Sequence, residues 1–178
     1  MKIAAGLLAG LVLIAANLPP RITYSALRAL ERSTDSTFET LVKDDPLNIL
    51  GATRGVYLDG YGVVFSAEVE LAASAAPNPF RPAFTKEDVQ RLRERKMVRI
   101  SHLKESMRNQ LVTFATSLDT VPLTENVALA VTIPYYRWEN SEGMPRQIVM
   151  VAPRKTLLEA RAGNSKPLAV ALKVQEIN

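Results

Sequence analysis

The sequence predicts an α+β fold, in which an antiparallel or mixed sheet of about five strands carries one long amphipathic helix and shorter helices on one face. Three observations support this prediction. A long stretch keeps apolar residues at helical spacing, an Asp-Gly turn joins two strand-like runs, and strands come in hairpins rather than in βαβ alternation. With 178 residues, 47% of them hydrophobic and 22% charged, the chain has the size and composition of one domain.

The first half of the chain predicts a helix followed by a hairpin. Residues 24–42 carry a loose apolar stripe, and a proline shortly afterwards ends the helix. Asp59 and Gly60 predict a tight turn between strands at 55–58 and 63–71, because this residue pair accepts the positive φ angles that such a turn requires.

The long helix is predicted to begin at its cap Thr85 and to run through to Asp119. Thr85 and Asp88 match a capping box, with Asp in place of the usual Glu or Gln. Neither glycine nor proline interrupts the stretch, and Lys96 fills one gap in its apolar face. That face comprises Val89, Leu92, Ile100, Leu103, Met107, Leu111, Phe114 and Leu118.

The C-terminal part predicts short elements separated by turns. Strands are expected at 127–134, 146–152 and 168–174, where apolar and β-branched residues alternate. A polar loop is expected at 135–145, and a short helix that opens with a proline at 153–162.

The first residues are typical of an export signal. Lys2 is followed by an apolar run at 3–16, which is short for a membrane span of about 20 apolar residues. We expect residues 1–16 to be a signal peptide, with an uncleaved N-terminal anchor as the alternative. Residues 17–178 would then form a single α+β domain that is exported, either to the periplasm or out of the cell.

Two segments carry a family resemblance. The first is the stretch 57–65, which reads YLDGYGVVF. The second comprises Trp138, Glu139, Asn140, Gly143, Pro145, Arg146 and Gln147. Together with the leader, they resemble a group of exported bacterial proteins of unknown function. The resemblance implies export, and it implies no activity, substrate or catalytic residue.

The residue types count against several chemistries. The chain has no cysteine and one histidine, so it lacks a thiol nucleophile and the ligands of an ordinary transition-metal site. Ser101 and Lys104 form an S-x-x-K pair, but the companion motifs of serine acyl enzymes are missing. A net charge of +4 is small for a nucleic-acid binder. We therefore predict no metal, no cofactor and no nucleic-acid partner, and the sequence favours a non-catalytic role.

The loop at 135–145 is the first candidate site. Tyr135, Tyr136 and Trp138, with Arg146 directly after the loop, are the side-chain types that interfaces prefer as anchors. The loop is also longer than the roughly two to five residues of most hairpin loops. These four residues predict a partly exposed binding surface, and the alternative is an ordinary strand end that closes the core.

Glu68 and Glu70 are the second candidate. They project from one face of a strand, and a pocket that raised the pKa of one would let the pair act as general acid and base. The alternative is a solvated sheet face.

A basic run in the long helix is the third candidate. Its acids are spaced for helical ion pairs, which favours a solvated, salt-bridged face. The alternative is a cationic face that attracts anionic lipid headgroups or an acidic partner. The run comprises Arg91, Arg93, Arg95, Lys96 and Arg99.

Taken together, the sequence favours an exported cell-envelope protein that acts as a non-catalytic interaction or binding module. Its partner would be an envelope protein or an anionic membrane surface. The alternative is a periplasmic enzyme or small-ligand-binding domain that uses the carboxylates of Glu68 and Glu70.

Export is directly testable. Because small residues end the apolar run at Ala16, we expect mass spectrometry of protein from the periplasmic fraction to find an N-terminus near Asn17. Full-length protein that stays in the cytosol would contradict this prediction, and full-length protein in the membrane fraction would indicate the uncleaved anchor.

Overall fold

The computed structural model describes residues 22–42, 47–73 and 84–178, and the predicted leader lies outside the described residues. Within these ranges, five strands form one mixed sheet in the order β1-β2-β3-β4-β5, which confirms the predicted α+β class. In chain order the elements are α1 (Tyr24–Glu39), β1 (Asn48–Leu58), β2 (Gly62–Glu70), α2 (Lys86–Ser117), β3 (Asn126–Thr132), β4 (Gln147–Pro153), α3 (Arg154–Arg161), α4 (Lys166–Ala171) and β5 (Lys173–Ile177).

The sheet contains one parallel pair. β1 and β2 form the predicted hairpin, and β3, β4 and β5 pair in antiparallel fashion, but β2 and β3 run parallel. A chain that leaves one strand must return to the opposite end of the sheet before it can begin a parallel neighbour, and α2 makes this return. The expectation that strands come in hairpins without a βαβ unit is therefore wrong at this connection.

The capping box of α2 is confirmed. The N–H of Asp88 donates to the Thr85 hydroxyl at 3.1 Å, and the N–H of Thr85 donates to the Asp88 carboxylate at 3.1 Å. These bonds pair two N–H groups that have no partner within the helix. The capping box therefore defines the residue at which α2 begins.

The core lies between the sheet and the helices. The Phe65 ring of β2 stacks on the Phe114 ring of α2, with centroids 4.1 Å apart. Gly55 of β1 lies against the same ring, since a Cβ atom there would come within 2.6 Å of the Phe65 side chain. Buried residues of α1, α2 and α3 join one apolar cluster with alternate residues of β2, β3 and β4.

The C-terminal strand is predicted at the wrong residues. Residues 168–174 read as a strand, but α4 ends at Ala171 and β5 begins at Lys173. Pro167 lies in the first turn of α4, where its missing N–H needs no partner. The small apolar residues after it fit a helix as well as a strand, so alternation alone could not separate the two.

α1 covers the free edge of β1. The Glu31 carboxylate accepts the N–H of Gly55 at 2.8 Å. The Asp35 carboxylate accepts the N–H and the hydroxyl of Thr53 at 2.9 and 2.6 Å. Four helical residues rise about 6 Å and two strand residues about 6.6 Å, so these two acids match two successive outward N–H groups. α1 thus supplies acceptors that a further strand would otherwise supply.

The charge of Glu31 is stabilised in the folded protein. Burial alone would raise the pKa of Glu31, but hydrogen bonds from the Gly55 N–H and the Arg28 guanidinium, with the charges of Arg28 and Arg54, outweigh burial and hold the pKa below its ordinary value. A carboxyl whose pKa is lowered by folding stabilises the protein above its unfolded pKa. This contribution is lost as the pH falls through the folded pKa.

Substitution of Glu31 by Gln tests this contact. Because an amide still accepts the Gly55 N–H but without charge, we expect Glu31→Gln to lower the free energy of unfolding by about 1–2 kcal/mol at pH 7. The difference from wild type should shrink as urea titrations move from about pH 5 towards pH 3. Glu39→Gln, at an exposed position of the same helix, is the control. A pH-independent difference would contradict the role of the charge.

Candidate functional site

The four predicted anchor residues lie together on the loop between β3 and β4. This aromatic loop, residues 133–146, is closed by a hydrogen bond from the Ile133 N–H to the Arg146 carbonyl at 2.8 Å. The rings of Tyr136 and Trp138 are nearly parallel, with centroids 6.1 Å apart, and the Arg146 guanidinium carbon lies 5.8 Å from the centre of the Tyr135 ring. Tyr136 is 45% exposed and Arg146 is exposed, whereas Tyr135 and Trp138 are half-buried.

Phe84 completes the aromatic stack and is missed by the sequence argument. Its ring lies parallel to Trp138 with centroids 4.0 Å apart. Phe84 directly precedes the N-cap Thr85, a position where an apolar residue is expected to pack on the first helical turn. That signal predicts burial near α2, but the identity of the partner depends on the tertiary fold.

A buried ion pair holds the aromatic loop against α2. The Lys96 ammonium lies 2.5 Å from the Glu139 carboxylate, and the two side chains are only 1% and 3% exposed. The predicted solvated face is therefore wrong for Lys96. This residue occupies the gap in the apolar stripe, so its helical position points it inward with Leu92 and Leu103.

The basic run as a whole does not form one solvated face. Arg99 is also buried, and its guanidinium donates to the carbonyl of Leu71 at 2.5 Å. Arg91 follows the prediction, because it is exposed and pairs with Asp88 at 2.6 Å. The run is divided between side chains that tie loops to α2 and side chains that face solvent.

Further polar contacts fix the loop on both sides of the ion pair. The Tyr135 hydroxyl donates to the Pro145 carbonyl at 3.0 Å. The Arg93 guanidinium donates to the backbone carbonyl and side-chain oxygen of Asn140 at 3.0 and 3.3 Å. Met144 is buried as well. These contacts therefore anchor the loop at several points although it lacks regular secondary structure.

Tyr135 remains neutral in this environment. Burial raises the pKa of Tyr135 to about 12, and the Glu139 carboxylate adds to the increase against the opposing charges of Arg146 and Arg93. The ring also lies 5.1 Å from the Lys96 ammonium, within the range of a cation–π contact. Tyr135 thus acts as a hydrogen-bond donor and a packing surface rather than as an acid or base.

Glu68 and Glu70 occupy different environments. Glu68 is exposed, whereas Glu70 is buried and accepts a hydrogen bond from the Asn48 side chain at 2.9 Å. Both lie on the predicted face of β2 and both have a partner on β1, but Glu70 lies opposite Asn48, whereas Glu68 lies opposite Gly51, which has no side chain. The surface has three shallow clefts among the described residues, and neither Glu68 nor Glu70 lines any of these three.

One cleft is lined mainly by residues with polar or charged side chains. It lies between α1 and α2 with a volume of about 500 Å³. Among the described residues, no group of three His, Asp or Glu side chains could hold a metal ion. The cleft is lined by Thr37, Thr40, Leu41, His102, Glu105, Ser106 and Asn109.

Comparison of the chain with protein-family models, curated proteins and solved structures found no match. The resemblance to exported bacterial proteins therefore stays a prediction. In the part of the chain that the structure covers, none of the helices is long and apolar enough to cross a membrane.

The Lys96–Glu139 pair can be tested by a mutant cycle. Because each single change leaves one buried charge without its partner, we expect Lys96→Met and Glu139→Gln each to lower the free energy of unfolding by about 3–5 kcal/mol. The double variant should lose less than the sum, by about 1–3 kcal/mol.

Lys104→Met is the matched control for this cycle. Lys104 also lies on α2 and pairs with Glu176 at 2.6 Å, but both side chains are partly exposed. Its loss should lower stability by less than about 1 kcal/mol in the same urea titrations. Additive effects in the Lys96–Glu139 cycle would show that the two side chains do not act as a pair.

Proposed function

We propose that this protein is an exported, non-catalytic interaction module of the cell envelope that binds its partner through the aromatic loop. The observation that carries the proposal is a long loop with Tyr136 and Arg146 exposed, anchored to α2 by the buried Lys96–Glu139 pair.

The contacts that anchor the loop are better explained by a role in binding than by a contribution to stability. A buried ion pair adds little net stability, because removing two charges from water offsets most of their attraction. In this protein the net contribution of the pair to stability is smaller still, since one carboxylate oxygen of Glu139 is buried without a hydrogen-bond partner among the described residues. What such a pair supplies is a defined loop geometry. A loop that is ordered before binding avoids an ordering cost of about 0.5–1.5 kcal/mol per immobilised side chain.

The exposed chemistry of the loop supports a protein partner. Tyr136 offers an aromatic face, and Arg137 and Arg146 offer exposed guanidinium groups. Tyr, Trp and Arg are the residues that most often carry binding energy at protein interfaces. The same side chains suit the headgroup region of an anionic membrane, which is the second partner that the proposal includes.

A carboxylate enzyme has less support. General acid–base catalysis by a pair needs both carboxyls at one reacting centre. The open environment of Glu68 and the buried, Asn48-bonded environment of Glu70 do not form such a centre.

Tyr136→Ala tests the proposal. Because Tyr136 is nearly half exposed, its removal should reduce affinity by about 2 kcal/mol, or roughly 30-fold, with little change in melting temperature. Binding would be titrated against solubilised envelope protein and, separately, against vesicles of anionic lipid. Trp138→Ala is a poorer test, because loss of its contact with Phe84 should itself lower stability.

Tyr61→Ala provides the matched control. Tyr61 is 40% exposed and lies in the β1–β2 turn, at the opposite end of the sheet from the aromatic loop. It should bind like wild type. If the Tyr136 and Tyr61 variants bound with equal affinity, the proposal that the aromatic loop binds the partner would be wrong.

A further inference from the structure

The two edges of the sheet are treated differently. At the β1 edge, α1 supplies carboxylates to the outward N–H groups of Thr53 and Gly55. At the opposite edge, all five residues of β5 are exposed, and within the described ranges β4 is the strand with which β5 pairs. Within the described residues, therefore, no other segment pairs with the outward backbone groups of β5, which leaves this edge available to a further strand.

Apolar side chains accompany this open edge. Val174 and Ile177 of β5 rank among the exposed large hydrophobic residues. Val170, on the adjoining helix α4, is 90% exposed, and α4 contains no buried residue. An open backbone edge beside exposed valine and isoleucine has the features of a surface that another strand covers.

We propose that β5 pairs with β5 of a second copy of this chain, antiparallel about a two-fold axis at Gln175, so that two five-stranded sheets join into one. Closed two-fold symmetry is the commonest form of self-association, and it requires the same strand to complement itself. The strand-addition geometry is the one by which exposed sheet edges bind extended segments.

The side chains of β5 are compatible with this register. With Gln175 opposite its own copy, Lys173 faces Ile177 and Val174 faces Glu176 across the axis. No like charges stand directly opposite each other. A glutamine at the axis pairs with itself through amide groups that both donate and accept.

Charge substitution at the axis gives a specific test, because residue 175 meets itself in this pairing. Gln175→Lys and Gln175→Glu should each abolish the concentration-dependent doubling of mass that we expect for wild type in analytical ultracentrifugation. An equimolar mixture of the two variants should recover the dimer as a heterodimer. Gln90→Lys, an exposed glutamine substitution on α2, should dimerise like wild type.

Cysteine substitution tests the register of the β5–β5 pairing independently of the charge variants. The chain contains no cysteine. Opposed Cα atoms in an antiparallel pair lie about 4.5–5.5 Å apart, within disulfide range. Gln175→Cys should therefore form a covalent dimer on mild oxidation. Lys173→Cys should not, because the two copies of residue 173 would be about 13 Å apart.

Three results would overturn the proposal. They are wild-type protein that remains monomeric at every concentration, a dimer that Gln175→Lys leaves intact, and equal cross-linking of the two cysteine variants. Circular dichroism of each variant separates loss of pairing from loss of folding.

Discussion

Helix α2 is longer than the strands it packs on, and much of the structure follows from this mismatch. Its 32 residues span about 48 Å, whereas the seven residues of β3 span about 23 Å. The C-terminal half of α2 buries Met107 and Phe114 in the core of the sheet. The N-terminal half contacts loops beyond the ends of β2 and β3. There Lys96 binds the aromatic loop, and Arg99 binds the segment that follows β2. The buried face of α2 is therefore apolar in the C-terminal half, where it packs on the sheet, and includes cations in the N-terminal half, where it bonds to loops.

Charged side chains satisfy backbone groups wherever regular pairing stops. At the C-terminal end of α2, the Arg154 guanidinium donates to the carbonyls of Ala115 and Val121 at 3.0 and 2.8 Å, in a region where helix carbonyls lack partners. At the β1 edge the signs are reversed, and the carboxylates of Glu31 and Asp35 accept strand N–H groups. Long side chains suit this role because their stems pack as apolar surface while their ends reach polar groups.

Sequence reasoning succeeded where the determining contacts are local. The Thr85–Asp88 capping box depends on residues three positions apart and appears as predicted. The β1–β2 hairpin also forms at the predicted Asp-Gly pair, although only Gly60 of that pair has a positive φ. It failed where a distant residue decides. Lys96 reads as one more cation of a solvated helix until Glu139 is known to lie opposite, and Phe84 has no predicted partner until Trp138 is placed. The four residues predicted as anchors could be grouped from the sequence because they are neighbours on one loop, whereas the contacts that hold this loop in place come from α2.

The use of cations inside the fold bears on how the protein could recognise a partner. A net charge of +4 and a basic helix suggest a broad electrostatic surface. In the structure, however, Lys96 and Arg99 are buried, and the Arg91 and Arg93 side chains are bonded to Asp88 and Asn140. Charges committed to internal contacts contribute little to the attraction of a distant surface in salt. Recognition by general charge is thus weakened, while two of these contacts, Lys96–Glu139 and Arg93–Asn140, hold the aromatic loop against α2. This arrangement favours a partner that is selected by the shape and chemistry of the loop over one that is attracted by charge alone.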